Sequence, residues 1–373
     1  MAWPLHVLQK DRPMPQKPRA RALGLPFPGT PGPLNAITDV PGLRVGFATL
    51  TDPTRKMRTG VTAILPREDP DMPRPVWAGF HSLNGNGEMT GVHWVNDAGY
   101  FIGPVLITNT HAIGAVHHGA TEWMMTYYAK FFREEHAWAM PIVAETYDGM
   151  LNDINALHVK PEHAVAALNA AKAGPVDEGS VGGGNGMIAY EFKGGTGTAS
   201  RRISIGGQVY TIGALVQANY GQRPWFTVLG VPVGREMTEN RLRKTESGSI
   251  IVILATDAPL SDAILRQLAK RAGLGIARSG SPSGNSSGDI FLAFSVADDM
   301  PISLHAGPVI TRHSLNWDWL DPLYEAAVEA VDEAVINAIV QGEDVATVKP
   351  EGKVCPGIDT DALCRIMARY GRM

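Results

Sequence analysis

The sequence has only two cysteines in 373 residues, Cys355 and Cys364, and both lie near its C-terminal end. Two thiols in this position give neither a disulfide framework nor the spacing of a zinc site, so we expect a reducing compartment, with the cytoplasm as the default. No apolar run reaches the roughly 18 residues of a membrane-spanning helix. The first residues, MAWPLHVLQKDRP, also lack the charged and apolar regions of a signal peptide, so we expect none.

An excess of positive charge and the common ligand-binding motifs are also missing. The formal net charge is −4, and the longest basic cluster, RLRK at 241–244, adjoins Glu246, so we interpret it as a solvated loop and expect no nucleic-acid binding. The glycine runs VGGGNGM and KGGTGTAS match neither a phosphate-binding loop nor a dinucleotide fingerprint. There is no HExxH zinc motif and no GxSxG motif, which argues against a zinc hydrolase and an α/β-hydrolase.

Prolines are concentrated in residues 1–35, at positions 4, 13, 15, 18, 26, 28, 31 and 33. A segment of this composition does not bury enough apolar surface to fold alone, so we predict an extended arm. After it, no linker or internal repeat interrupts the chain, which predicts a single domain over residues 36–373. The apolar fraction of 44% is ample for a large core.

Hydrophobic periodicity predicts strands and helices that come in blocks rather than in strict alternation. The predicted strands lie in AITDVPGLRVGFATL (36–50), GVTAILP (60–66), GPVLIT (103–108), MIAYEFK (187–193), the two runs of 201–221, FTVLGVPV (226–233), SIIVILAT (249–256) and DIFLAFSVA (289–297). The predicted helices lie in 112–132, in 160–174 with Pro161 in the first turn, in 260–277 with Ser261 as N-cap, and in an amphipathic segment that closes at Gly342. This order favours a layered α+β sandwich over a doubly wound sheet.

The segment ESGSIIVILAT places a glycine and a serine where a charged loop meets an apolar strand. A break between Gly248 and Ser249 would give Ser249 a free α-amine, whose pKa of about 7.7–8 suits a base near neutral pH. A hydroxyl residue activated by its own amine is an established kind of nucleophile. On these two residues alone, a turn glycine followed by a strand-opening serine is the more common interpretation.

Three other motifs place polar residues at strand ends. In SPSGNSSGDIFLAF, Ser287 and Asp289 share one face of an extended chain, so Asp289 can hold Ser287, and Ser287 can bond to a nucleophile or its amine. In ALVQANYG, Asn219 is able to donate to an oxyanion. In PIVAETYDGMLNDIN, Glu145 can pair with a cationic amine, and Tyr147 follows it. Ordinary turns or helix caps are the alternative for each motif.

Ten segments of the sequence occur together, in the same order, in one protein family. Over roughly residues 36–340 the chain resembles the family of self-processing N-terminal-serine hydrolases that includes the L-aminopeptidase/D-amidase/D-esterases (DmpA-like) and the β-aminopeptidases. The ten segments are ITDVPGLRVGFAT, TGVTAILP, LNGNGEMTG, GPVLITNTHAIG, AETYDGMLNDIN, EGSVGGGNGM, GGTGTASR, ALVQANYG, GSIIVILATDAPL and SSGDIFLAFS.

The resemblance implies an αββα four-layer sandwich, similar to that of N-terminal nucleophile hydrolases but with different connectivity. It implies that the chain cuts itself between Gly248 and Ser249 into an α chain, 1–248, and a β chain, 249–373. No metal or other cofactor is expected, and the implied assembly is a homotetramer of α/β pairs.

The resemblance also assigns roles by position in the motifs. Ser249 matches the nucleophile, Asn219 the oxyanion donor, and Tyr147 an aromatic residue that lines the same pocket. Glu145 matches the carboxylate that receives the free amine of a substrate. The remaining matches are Ser287 and Asp289, which correspond to a Ser-x-acid pair around the nucleophile. Since β-aminopeptidases typically have Glu at the position of Asp289, the general base stays open between this pair and the Ser249 amine.

The activity implied is that of an aminopeptidase that releases small N-terminal residues from peptides and hydrolyses D-alanine-type amides and esters through an acyl-enzyme. One alternative is a β-aminopeptidase acting on N-terminal β-amino acids. A second is a related acyltransferase, although ornithine acetyltransferases use Thr where this chain has Ser249. A third is an uncut binding protein with a decayed site, against which the intact Ser249, Asn219 and Ser287 argue.

Overall fold

The computed structural model describes residues 17–67, 71–243, 245–297 and 306–373. The strands are β1 (Arg44–Asp52), β2 (Met57–Leu65), β3 (Pro75–Gly85), β4 (Tyr100–Ile102), β5 (Val105–Asn109), β6 (Ile142–Thr146), β7 (Ile188–Ala189), β8 (Phe192–Lys193), β9 (Gly195–Ile205), β10 (Gln208–Asn219), β11 (Ser249–Thr256), β12 (Gly288–Ser295), β13 (Val345–Ala346) and β14 (Val354–Cys355). The helices are α1 (Val92–Ala98), α2 (Ile113–Tyr127), α3 (Ala129–Glu134), α4 (Pro161–Asn169), α5 (Val233–Glu236), α6 (Asp262–Arg278), α7 (Asp321–Val340) and α8 (Thr360–Arg369).

Two sheets form the centre of the fold. The first has four strands in the order β1-β2-β5-β6, and the second has six in the order β4-β3-β12-β11-β10-β9. Side chains such as Ile64, Ile107, Ile251 and Leu292 fill the space between the sheets. Helices α2 and α4 cover the outer face of the first sheet, and α6 and α7 cover that of the second. The predicted αββα sandwich is confirmed.

Strand β11 lies in the middle of the second sheet. It pairs with β10 in antiparallel orientation and with β12 in parallel orientation. Its side chains alternate, because Ile250 and Val252 pack toward the helices whereas Ile251 and Ile253 pack toward the other sheet. Ser249 therefore opens β11 on the face that lies between the two sheets.

The helix starts that we predicted are confirmed. Pro161 is the first residue of α4, and the Ser261 hydroxyl accepts the backbone N–H of Ile264 at the start of α6. The first turn of a helix has backbone N–H groups without an acceptor inside the helix. The Ser261 hydroxyl accepts one of them, and a proline at the first position has no N–H group. None of the helices in the described part of the chain combines the length and the hydropathy needed to cross a bilayer.

Helix α7 is not amphipathic in the way that we predicted, because from Ala326 to Val340 it is buried on every side. Residues 17–35 pack across it, and Arg21 of this segment bonds to Glu333 at 2.9 Å. On the sheet side, Arg201 contacts Glu329 at 3.2 Å and Glu333 at 2.7 Å. The carboxylates of Glu329 and Glu333 are thus paired with the buried Arg201 and, for Glu333, also with the half-buried Arg21.

Two further predictions are wrong. Segment 226–233 is not a strand: Val228 and Val231 form an isolated bridge around a turn, and α5 begins at Val233. The cluster at 241–244 is not fully solvated, although its last residue, Lys244, is outside the described residues. Arg243 is only 9% exposed, and its backbone N–H bonds to the carboxylate of the buried Glu191 at 2.9 Å.

Candidate active site

The register of two strands brings Ser249 and Asn219 together. Asn219, the last residue of β10, lies directly opposite Ser249, the first residue of β11. Directly opposed residues of an antiparallel pair project from the same face with Cβ atoms about 4.5–5.5 Å apart. Both side chains point into the layer between the sheets, and they are only 5% and 1% exposed. The Ser249 hydroxyl and the Asn219 amide therefore lie side by side in the buried layer between the sheets.

The amide of Asn219 is held in a single orientation. Its oxygen accepts the backbone N–H of Ile188 at 2.9 Å, and its nitrogen donates to the carbonyl of Tyr147 at 3.0 Å. A backbone N–H requires an acceptor and a carbonyl requires a donor, so exchanging the two atoms would lose both bonds. The amide nitrogen carries a second hydrogen, which is available to a ligand.

The peptide group before Ser249 is closely packed. The carbonyl oxygen of Gly248 accepts the backbone N–H of Gly288 at 3.3 Å. A Cβ at Gly248 would lie 2.3 Å from the Asn219 carbonyl oxygen and 2.6 Å from the Tyr220 Cα. Because both atoms belong to the backbone, only glycine fits here without moving β10.

The predicted pairing of Ser287 with Asp289 is present. The Ser287 hydroxyl donates to one carboxylate oxygen of Asp289 at 2.6 Å, and the Ser283 hydroxyl donates to the other. Burial raises the pKa of the Asp289 carboxyl above its usual value, and these two hydrogen bonds oppose the rise. The pair thus forms a buried, hydrogen-bonded acid at the start of β12.

Asp289 does not contact the Ser249 side chain in the uncut chain. Asp289 pairs with Ile250, one residue beyond Ser249, so it lies on the helix-facing side of the sheet together with Phe291. Among the described residues, no hydrogen bond joins Ser249 to Ser287 or Asp289. The proposed relay from this pair to the nucleophile or its amine stays a prediction.

Glu145 lies on the neighbouring sheet, near the end of β6, and is 4% exposed. One of its oxygens accepts the backbone N–H of Glu88 at 3.1 Å, and the other accepts the Thr110 hydroxyl. Burial raises the pKa of Glu145, and these bonds oppose the rise. Gly87 lies between Glu145 and the second sheet. A Cβ added to Gly87 would be 3.1 Å from a carboxylate oxygen of Glu145 and 3.7 Å from the Cα of Gly288.

Tyr147 contributes its carbonyl to the site rather than a buried ring. The side chain is 41% exposed and lies over Gly149, where an added Cβ would be 2.3 Å from the phenol oxygen. The next residue, Asp148, is 1% exposed and accepts a bond from Asn152 at 3.0 Å. Burial raises the pKa of Asp148 to about 7. In the polar segment at the end of β6, Glu145 and Tyr147 therefore belong to the candidate site, whereas Asp148 and Asn152 form a buried structural pair.

The end of β3 and the residue that follows it are bonded to the loop before β12, which leads to Ser287. Asn84 and Asn86 of the LNGNGEMTG segment donate to the carbonyls of Gly284 and Ser286 at 2.6 and 2.7 Å. Sequence reasoning missed these contacts, as well as the Gly288 N–H on the Gly248 carbonyl. The repeated Asn-Gly pattern was the available signal, because Asn side chains in turns bond to nearby backbone groups.

Comparison with known proteins gives a consistent result. A model of "Peptidase family S58" matches residues 35–352. The chain is 45% identical over 378 residues to a β-peptidyl aminopeptidase, BapA, of Sphingosinicella microcystinivorans, covering 95% of this chain and 93% of the relative. A second BapA, of Sphingosinicella xenopeptidilytica, is 40% identical and covers 95% of this chain and 92% of the relative.

Solved structures are similar in fold as well as in sequence. The L-aminopeptidase D-Ala-esterase/amidase of Ochrobactrum anthropi, described as a variant of the Ntn hydrolase fold, matches with a TM-score of 0.92 and 52% identity, covering 95% of this chain and 99% of that one. A β-aminopeptidase of Burkholderia sp. matches with a TM-score of 0.87 and 44% identity, again over 95% and 99% of the two chains.

Proposed function

The chain belongs to peptidase family S58 and is a serine aminopeptidase with the Ntn-hydrolase fold, and from this premise we propose that it cuts itself at the Gly248–Ser249 bond and then uses Ser249 as its nucleophile. In this proposal Asn219 stabilises the oxyanion, and Glu145 binds the amine of the substrate. The products of maturation are an α chain of residues 1–248 and a β chain of residues 249–373.

The observation that carries this proposal is the surroundings of the Gly248 peptide group. Its carbonyl already accepts the Gly288 N–H at 3.3 Å. The Asn219 amide stands opposite Ser249 with one hydrogen unused by its bond to Tyr147. We propose that this hydrogen turns to the Gly248 carbonyl oxygen as the oxyanion forms, so that two donors stabilise the negative charge of the tetrahedral intermediate.

Self-cleavage then proceeds in two balanced steps. The Ser249 hydroxyl oxygen attacks the Gly248 carbonyl carbon, the C–N bond to Ser249 breaks, and the hydroxyl proton ends on the freed nitrogen. Water next attacks the resulting ester, which releases the hydroxyl of Ser249 and leaves Gly248 as a C-terminal carboxylate. The product is an N-terminal serine with a free amine.

The strand order supports continued association of the two chains after the cut. The β chain would supply β11 and β12, which lie between β10 and β3 of the α chain. The side chains of β11 are buried along the whole strand. Separating the chains would expose this apolar surface at about 25 cal/mol per Å², so we expect one stable particle.

Turnover of a substrate repeats the same chemistry. Ser249 attacks the carbonyl of the substrate's first residue, the new amine departs with a proton, and water hydrolyses the acyl-enzyme. Glu145 is buried and lies across Gly87 from Gly288, the strand partner of Ser249. A blocked N-terminus would leave this carboxylate without a cation to pair with, which disfavours such substrates.

Two groups are candidates for the general base. The α-amine of Ser249 has an ordinary pKa near 7.7–8, which suits proton transfer at neutral pH. The second candidate is the pair of Ser287 and Asp289. Burial raises the pKa of the Asp289 carboxyl. In the uncut chain neither is yet placed against the Ser249 hydroxyl, so we propose that release of the new N-terminus brings the base into position.

The substrates proposed are peptides with small N-terminal residues, together with D-alanine-type amides and esters. The Ochrobactrum anthropi enzyme, at 52% identity, supports the amide and ester activities by its description. A second candidate is the release of N-terminal β-amino acids, which the two Sphingosinicella β-peptidyl aminopeptidases and the Burkholderia structure support. Asp289 instead of Glu favours the first candidate within the resemblance described above.

We further propose a homotetramer of α/β pairs in the cytoplasm. Several large apolar side chains are exposed on the single chain, including Trp138 at 60% and Trp317 at 56%, and an assembly would bury those that lie at its interfaces. The two cysteines are free, which fits a reducing compartment.

A panel of amides tests the proposed function. The purified enzyme is assayed with L-alaninamide, D-alaninamide, β-alaninamide and N-acetyl-L-alaninamide. We expect hydrolysis of the α-amino amides and none of the acetylated one. Fastest turnover of β-alaninamide would favour the second candidate, whereas efficient hydrolysis of the acetylated amide would contradict an aminopeptidase.

A further inference from the structure

A single carboxylate, that of Glu246, anchors residues 245–248, the segment directly before the proposed cut. One of its oxygens accepts the backbone N–H of Gly221 at 3.0 Å, and the other accepts the backbone N–H of Gly284 at 2.9 Å. Hydrogen bonds to an ionised acceptor are stronger than neutral ones and hold a fixed geometry. The half-buried side chain therefore bridges two loops that are far apart in sequence.

Both loops lead directly to residues of the site. Gly221 lies two residues after Asn219, and Gly284 lies three residues before Ser287. The Gly284 carbonyl is itself held by Asn84 at 2.6 Å. Glu246 thus fixes the segment before the cut against the oxyanion strand on one side and the Ser-x-acid loop on the other.

Hydrogen bonds to backbone N–H groups hold this carboxylate in place. Burial and the nearby charge of Asp289 raise the pKa of Glu246, and the two backbone N–H groups and the charge of Arg243 oppose them. No salt bridge to Glu246 is found among the described residues. A charged group that is partly buried needs hydrogen bonds to compensate for the water that it has lost. For the Glu246 carboxylate these are the bonds to Gly221 and Gly284, which also position residues 246–248.

We propose that Glu246 is a positioning residue for self-cleavage, which holds the Gly248 carbonyl carbon in line with the Ser249 hydroxyl until the bond is cut. This inference rests on the proposed function. Only Ser247 and Gly248 separate the anchor from the bond, and glycine restrains its own backbone least of all residues. A displacement of about 1 Å between reacting groups is enough to slow a reaction about 100-fold.

The role differs between maturation and turnover. Before the cut, Glu246 and Ser249 belong to one chain, so the anchor directly sets where the reacting carbonyl lies. After the cut, Glu246 belongs to the α chain, and the substrate supplies its own carbonyl. Loss of the anchor therefore affects the rate of maturation more than the turnover of chains already cut.

The test compares Glu246→Gln with the wild type by following the uncut fraction over time with intact mass spectrometry, from the end of synthesis onward. Gln keeps the size of the side chain but turns an N–H group toward one of the two backbone donors. We expect maturation to slow about 10- to 100-fold, by analogy with the loss of one charge-assisted bond. Glu239→Gln, an exposed glutamate of the same connecting segment, should mature at the wild-type rate.

A second variant disturbs the same bridge from the other side. A Cβ at Gly284 would lie 2.0 Å from a carboxylate oxygen of Glu246, so Gly284→Ala displaces the end of that side chain. We expect this variant to mature slowly too, with kcat per cut chain reduced by a smaller factor than the maturation rate in both variants.

The outcomes separate this inference from the proposed function. A wild-type chain that never cuts would refute the proposed function and the inference together. Wild-type cutting with equally fast cutting of Glu246→Gln would refute the role of Glu246 alone. An equal loss of maturation rate and of kcat in both variants would indicate general damage to the site, and would also overturn it.

Discussion

Substituting Gly248 by alanine tests whether the bond before Ser249 lies in a reactive position. The added Cβ would be 2.3 Å from the Asn219 carbonyl oxygen, whereas an ordinary contact is 3.4–4 Å. The two backbones must therefore separate by about 1 Å, and β10 resists because it pairs with both β9 and β11. Overpacking of this kind costs about 1–3 kcal/mol, and a displacement of about 1 Å at a reacting carbon slows reaction about 100-fold.

The assay is the time course of appearance of a chain that begins with Ser249, measured by mass spectrometry on freshly synthesised protein. We expect Gly248→Ala to mature about 100-fold more slowly than the wild type. Gly114→Ala is the matched control, because nothing lies within 4 Å of an added Cβ at this helical position. Wild-type maturation of Gly248→Ala would refute the argument, since it would show that the close packing around Gly248 does not govern the reaction.

Two other substitutions probe the buried carboxylates. Glu145→Gln should raise KM for L-alaninamide about 10-fold or more with a smaller change in kcat, because a hydrogen bond to a charged group contributes about 1.5–3 kcal/mol; an unchanged KM would remove the proposed role of Glu145. Asp148 has a pKa raised by burial to about 7 from the ordinary 3.8, so the folded chain binds its proton more tightly than the unfolded chain does. The stability that this group contributes is present below about pH 4 and is lost as the pH rises through 7, by up to about 1.4 kcal/mol per pH unit. Asp148→Asn should therefore gain stability relative to the wild type as the pH rises from 4 to 7 in urea unfolding, and a pH dependence equal to that of the wild type would contradict the assignment.

The strands and the main helices could be predicted because their signals are local. The uninterrupted apolar run of β11 predicts a buried central strand, and the Ser261 cap marks the start of α6 within one residue. The layered architecture followed from the block-like order of the elements. Segment 226–233 misled the prediction because Val228 and Val231 are apolar without forming part of a sheet.

The arrangement of the site could not be derived from local patterns. The contact of Asn219 with Ser249 depends on the register of β10 and β11, which tertiary packing sets. Only the resemblance to a family placed these residues together. Glu246 was overlooked for a related reason, because a glutamate in a charged loop gives no periodic signal. Its partners, Gly221 and Gly284, are backbone groups that a sequence pattern does not identify.

The polar face of α7 shows that the surroundings of one segment depend on another segment of the chain. Glu329, Asp332 and Glu333 belong to the helix that we predicted to be amphipathic, which implies a polar face in contact with water. Instead, Ala20, Leu25 and Phe27 of that segment are buried, and Arg21 reaches Glu333. Composition alone shows that the segment does not fold independently, but it does not show what the segment covers.

The most direct test of the central claim is N-terminal sequencing with intact mass measurement of the purified wild type and of Ser249→Ala. We predict that the wild type contains two chains that add up to the 40.0 kDa precursor plus one water, the smaller beginning Ser-Ile-Ile-Val, whereas Ser249→Ala remains a single inactive chain. A wild type that hydrolyses L-alaninamide as an uncut chain, or a Ser249→Ala variant that still cuts at this bond, would contradict the account.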